Sequence, residues 1–166
     1  TNPAIGCKLP PKKAKEMQVL DREELQKFLI QAQADGYYEL FLLDLCTGLR
    51  RGELIALQWE DLNFETGVLT VNKQAYTVNG ELQIIPPKTK ASMRKLVLPP
   101  AVLAVLREYH KKVDSRWMFP SPVKADRPIT PGVARRRLQT ILERADCKRV
   151  RFHDLRHTFA TLALEN

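Results

Sequence analysis

The sequence predicts an α+β domain, mainly helical, with a small three-stranded antiparallel sheet in its middle. Apolar residues recur at helical spacing between capping signals over 20–58 and again over 100–166. Between these stretches, from Asn63, the period changes, and GVLTVN, ELQII and RKLVL alternate or cluster β-forming residues. The 166 residues, 44% of them hydrophobic, suffice for one domain with a real core and not comfortably for two.

Residues 1–19 mix Pro, Gly and Lys without periodicity and read as an extended linker to something cut off upstream. Asp21 opens the first helix. With Glu24 it forms a capping box, and Leu25, Phe28, Leu29 and Ala32 give the apolar stripe. A second helix covers 37–46 and stops at Gly48; a third runs through 51–58 and buries Leu54, Leu57 and Trp59. The three strands follow, separated by turn-like TVNG and PKTKAS. Pro99-Pro100 leads into a helix with Val102, Leu103, Leu106 and Tyr109 on one side. Thr130 and Pro131 mark the next start, since Thr caps well and Pro suits the first helical position. Val133, Leu138, Ile141 and Leu142 face inward there. Arg135, Arg136 and Arg137 crowd its first turns, where they oppose the helix dipole and point to an anion. The last helix starts near His153 and runs to the end still apolar, without a stop signal.

Lys plus Arg number 27 against 19 Asp plus Glu, a formal charge of +8 that favours a polyanionic partner. Apolar runs such as FLLDLC are far too short to span a bilayer, and no signal peptide opens the chain, so a cytoplasmic location is expected. Cys7, Cys46 and Cys147 are widely spaced, with no CxxC and no Cys/His cluster at zinc spacing. No metal and no cofactor are expected.

Three clusters carry chemistry. TGLRRGEL, residues 47–54, puts two guanidinium groups and a carboxylate in a glycine-bracketed corner between hydrophobic helices. FHDLRHTFAT, residues 152–161, sets His153 and Arg156 on one helix face, with His157 near by. Such a face offers a proton-transfer group beside a planar fork of donors suited to phosphate oxygens. PPKTKASMRK places Lys88 and Lys90 on a hairpin tip, where a lysine serves as a point charge or as a general acid.

In that order, TGLRRGEL, a sheet with a lysine hairpin and HDLRHTFAT, the chain resembles the tyrosine recombinases of the phage-integrase family, over about 17–166. The resemblance implies that family's catalytic fold and a catalytic set of Arg50, Lys88, His153 and Arg156. Arg51 fills the variable slot, Glu53 braces the corner and His157 is a supporting residue. Either Lys88 or Lys90 can be the catalytic lysine. The family's chemistry explains the types: two arginines clamp the non-bridging oxygens, a lysine protonates the departing 5′ oxygen and a histidine assists at the nucleophile. Implied partners are double-stranded DNA at attachment sites and other recombinase protomers, with no membrane. Arg51, Lys90, the three arginines 135–137 and Lys148, Arg149 and Arg151 are candidates to track the DNA backbone.

The family's nucleophile is a tyrosine beyond HxxR, after a (L/I)GH(S/A) segment. Here Tyr37, Tyr38, Tyr76 and Tyr109 all precede His153. The expectation is a catalytic domain over 20–166 cut short of its nucleophile, with the linker 1–19 leading from a core-binding domain and apolar surface exposed around Phe159, Leu162 and Leu164. The alternative is a relative that binds DNA without chemistry, in which the R, K and HxxR positions do not converge. A metal-dependent nuclease ranks last, for want of carboxylates and histidines at ligand spacing.

Overall fold

The computed structural model describes Gly6 and residues 18–164, with side chains through Thr158. The linker 1–19 and the apolar side chains beyond Thr158 fall almost wholly outside the described residues. Among those described, the helices are α1 (Arg22–Ala34), α2 (Tyr38–Thr47), α3 (Arg51–Ile55), α4 (Pro100–His110), α5 (Pro131–Arg144) and α6 (Phe152–Leu164). The strands are β1 (Val68–Val71), β2 (Gln74–Val78), β3 (Glu81–Ile85) and β4 (Arg94–Val97).

The helix boundaries follow local chemistry. Asp21 accepts from the Glu24 amide at 2.8 Å while Glu24 accepts from the Asp21 amide at 3.0 Å, closing the capping box. Thr130 accepts from the Val133 amide at 3.2 Å ahead of Pro131. Gly48 ends α2 in the left-handed conformation, φ 62° and ψ 28°, and its amide donates to the Asp44 carbonyl. The third helix is shorter than its sequence pattern: it stops at Ile55, and Trp59–Asp61 form a separate 3-10 turn.

The α+β class holds, but the sheet differs from the expected three-stranded one. β1 pairs with β4 and β2 with β3, giving two antiparallel ladders of two strands each among the described residues. TVNG is only half a turn. Asn79 and Gly80, with φ 51° and 79°, make the reversal alone, so Thr77 and Val78 stay in β2. An Asn-Gly pair tolerates positive φ at both central positions and closes a two-residue hairpin, which releases QAYTV to pair with ELQII.

The core joins helices from both ends of the chain. Phe28 of α1 meets Phe41 of α2 edge-on at 5.2 Å, and Phe41 meets Phe152 of α6 at 5.9 Å. Leu54 and Ile55 are wholly buried and anchor the short α3. Against this helix lies β2, so close that a Cβ on Gly52 would stand 2.8 Å from the Ala75 carbonyl oxygen. Gly52→Ala should therefore cost about 1–3 kcal/mol in urea unfolding as strand and helix separate. Gly132→Ala, where the nearest atom is a flexible Arg136 nitrogen at 3.7 Å, should stay within about 0.5 kcal/mol.

Candidate functional site

One open cleft of about 1720 Å³ runs between α3, β2, α5 and the start of α6. That exceeds the few hundred to about 1,000 Å³ usual for a small-molecule pocket and suits an extended polymer. Its lining includes Arg50, Arg51, Arg135, Arg136, Arg149, Arg151, His153 and Arg156. Three of the four residues expected to act together, Arg50, His153 and Arg156, thus share one surface although a hundred residues separate the first from the other two.

Each is placed by a definable device. Arg50 precedes α3, and its amide donates to the Glu53 carboxylate at 2.9 Å. Glu53 is 3% exposed and receives both terminal nitrogens of Arg94 at 3.0 Å, a two-point clamp from β4. Burial works against the Glu53 carboxylate, but the hydrogen bonds from Arg94 and the Arg50 amide outweigh it and hold its pKa below the ordinary value. At the other wall, the Gln139 side chain of α5 donates to the Val150 carbonyl at 2.8 Å and accepts from Arg149 at 2.9 Å. Asp154 then accepts from the Arg151 amide at 2.8 Å and from its guanidinium at 3.2 Å. These bonds fix the first turn of α6, from which His153 and Arg156 reach the cleft. His157 stands edge-on to His153, ring centres 4.9 Å apart.

The electrostatics follow from which acids are already taken. Glu53 belongs to Arg94, Asp154 to Arg151 and Asp61 to Lys73. Among the described residues, Arg50, Arg51, Arg135, Arg136 and Arg156 carry no ion pair. Burial, and then the neighbouring Arg135, lower the pKa of Arg51, so two like charges face one space that an anion would relieve. Away from the cleft lining, Asp44 of α2 is 1% exposed, and neither carboxyl oxygen has a hydrogen-bond partner. Burial pushes its pKa up to about 8, with Arg156 pulling the other way.

The remaining candidates lie apart. Lys88 and Lys90 are exposed on the β3–β4 connection and do not line the cleft. The Arg137 guanidinium sits 5.3 Å over the Tyr37 ring, and Lys148 pairs with Glu24 of α1 at 3.3 Å. Tyr109 is half-buried between Trp59 and Phe119, where burial pushes its phenol up. Tyr76 of β2 lines the cleft. The sequence reading missed Tyr76, Arg94, Gln139 and Asp44; of these, only the acid inside the apolar run FLLDLC carried a signal in the sequence. No three or more His, Cys, Asp or Glu are grouped to hold a metal ion among the described residues, and no helix there is long and apolar enough to cross a membrane.

A Tn1549 transposon integrase solved with transposon right-end DNA superposes with a TM-score of 0.81 at 22% identity, over 94% of this chain and 56% of that one. The XerA recombinase gives a TM-score of 0.74 at 23% identity, over 95% of this chain and 54% of that one. Residues 18–166 match the Phage integrase family, and the chain belongs to it. A XerC-like tyrosine recombinase of Caldanaerobacter subterraneus subsp. tengcongensis is 30% identical over 192 residues, covering 99% of this chain and 49% of its own length. The ICEBs1 integrase of Bacillus subtilis is 25% identical over 175 residues, covering 98% and 47%. The chain spans about half the length of these curated relatives.

The Glu53 clamp has a testable pH signature. A carboxylate whose folded pKa is depressed contributes fully above its unfolded pKa and loses that contribution as pH falls through the folded value. Glu53→Gln should cost about 1–3 kcal/mol at neutral pH in urea unfolding. The gap from wild type should narrow below about pH 4; an equal gap at both pH values would contradict the clamp.

Proposed function

We propose that this domain binds double-stranded DNA and supplies the phosphate clamp of a cytoplasmic site-specific recombinase or integrase acting through a 3′-phosphotyrosyl intermediate. The observation that carries the reading is the meeting of Arg50, His153 and Arg156 in one cleft whose acids are already neutralised. In this reading Arg50 and Arg156 hold the two non-bridging oxygens of the scissile phosphate. Charge gathers there as the tyrosine oxygen–phosphorus bond forms and the phosphorus–5′ oxygen bond breaks. His153 assists removal of the phenolic proton, and the departing 5′ oxygen takes a proton from Lys88. The lysine's role rests on the sequence resemblance alone. We take the tyrosine to lie outside this sequence, supplied by a longer chain or a neighbouring protomer. Arg51, Arg135, Arg136, Arg149 and Arg151 track the backbone along the cleft, in register with further protomers on the same DNA.

A second reading, a family member that binds DNA without chemistry, draws support from the position of Lys88 outside the cleft. Nicked attachment-site DNA in EDTA separates the two. The longer protein that contains this sequence should leave an SDS-resistant adduct, Arg156→Ala should slow its formation by about 10²–10³-fold, and residues 1–166 alone should leave none. Tight binding with no adduct from the longer protein would select the second reading; an adduct from this chain that Tyr76→Phe abolishes would move the nucleophile to β2.

The cleft also makes a salt prediction. Arg136→Gln should reduce the slope of log affinity against log salt by about one. Arg137→Gln, whose guanidinium is held over Tyr37, should leave the slope unchanged in the same anisotropy titration.

A further inference from the structure

We propose that Gln139 is a positioning residue: by accepting from the Arg149 side chain while donating to the Val150 carbonyl, it makes of Arg149 a seat for a second backbone phosphate in the cleft. The inference rests on the phosphate-clamp reading above and adds to it a phosphate other than the one held by Arg50 and Arg156.

α5 turns one stripe to the cleft, Gly132, Arg135, Arg136 and Gln139, at the three- and four-residue spacing of one helix face. Two positions of that stripe carry guanidinium groups, and the last carries an uncharged amide. The difference is one of bonding capacity. An arginine only donates, whereas a glutamine amide has both donors and an acceptor. Gln139 uses both: its Nε2 donates to the Val150 carbonyl at 2.8 Å, and its Oε1 accepts from Arg149 Nε at 2.9 Å. The two partners fix which way the amide faces, since a carbonyl cannot donate and a guanidinium cannot accept. Val150 is buried, so the tether is anchored in the core, while Arg149 stands exposed at the cleft.

The consequence for Arg149 is a fixed place without a counter-charge. Arg151 and Arg94 are held by the carboxylates of Asp154 and Glu53, which offset their charge as they fix their place. Arg149 is held by a neutral amide and carries no ion pair among the described residues. With its Nε engaged, the two terminal nitrogens remain as an end-on fork, which matches two oxygens of one phosphate. A long side chain loses much rotamer freedom when it grips a ligand, and here part of that freedom is lost before DNA arrives. The same amide also holds Val150, two residues before Phe152 opens α6. The seat therefore keeps a set place relative to the helix that carries His153 and Arg156.

The test is duplex-DNA binding by this chain in fluorescence anisotropy at constant salt, for wild type, Gln139→Met, Arg149→Met, the double variant and Gln139→Lys. Gln139→Met and Arg149→Met should each weaken binding by about three- to tenfold. The double variant should bind no more weakly than Arg149→Met alone, because Gln139 acts through Arg149. Gln139→Lys can donate to Val150 but cannot accept from Arg149. It should therefore also bind more weakly, although it adds a positive charge to the cleft. Losses that multiply in the double variant, a single Met variant that binds like wild type, or a Gln139→Lys that binds more tightly overturns the proposal while leaving the clamp in place. Arg156→Gln that binds as tightly as wild type overturns the clamp, and with it the reading on which the seat rests. Should the Gln139 variants not fold, NMR of wild type decides: the Arg149 Nε proton should keep its NOE to the Gln139 side chain when duplex is added, and loss of that NOE overturns the proposal.

Discussion

The site depends on one ion pair, between the buried Glu53 and the half-buried Arg94. Glu53 joins the backbone of Arg50 to the side chain of Arg94, tying the start of α3 to β4. A helix of five residues cannot hold itself together, since so few internal hydrogen bonds do not repay nucleation. The carboxylate supplies what the helix lacks: it accepts from an otherwise orphaned amide and favours the positive end of the helix dipole. Without Arg94, a buried Glu53 beside Arg50 would be an unpaired charge and would draw that guanidinium inward. The strand arginine neutralises the acid, so Arg50 is held by its backbone while its side chain stays available.

The same division of labour recurs around the cleft. Asp154 is matched by Arg151, and Asp61 by Lys73. Each pair fastens a chain segment and cancels an acid that would dilute the positive field. Seven arginines line the cleft, and two of them, Arg51 and Arg135, already repel each other. A field of one sign between low-dielectric walls concentrates polyanions and steers them in. The formal charge of +8 is thus less informative than its distribution. Arg137 and Lys148 add to the total while facing Tyr37 and Glu24.

What the sequence made legible is what local chemistry determines. Asp21 with Glu24, Thr130 with Pro131 and Gly48 act within four residues of themselves, and each marks the helix end its residue type implies. TGLRRGEL and HDLRHTFAT are compact enough to be recognised as motifs, and the structure brings their arginines and histidine to one surface. Arg94 was opaque because its partner lies 41 residues away and RKLVL reads as an ordinary half-exposed strand. The fourth strand was missed because Asn79-Gly80 makes a tighter turn than TVNG suggests. Asp44 stands inside the apolar run FLLDLC, and the sequence does not show that α1, α4 and α6 pack on α2 and leave its carboxyl buried without a partner. Lys88 is the converse case: its motif is plain, but a connection between strands of two different ladders has no local rule to set where its tip lies.

The second glycine of TGLRRGEL shows how far a short motif reaches. Gly52 is not in the left-handed region, so turn geometry does not explain it. What explains it is the Ala75 carbonyl, which occupies the space a side chain would need. The absence of a Cβ lets β2 lie directly on α3, and this contact carries Tyr76 and Thr77 to the cleft opposite Arg135 and Arg136. Gly52 therefore sets the distance between two walls of the site, and Glu53, the next residue, sets the angle of the helix between them. One dipeptide fixes both because a backbone–backbone contact and a buried carboxylate are the least compressible connections available at that corner.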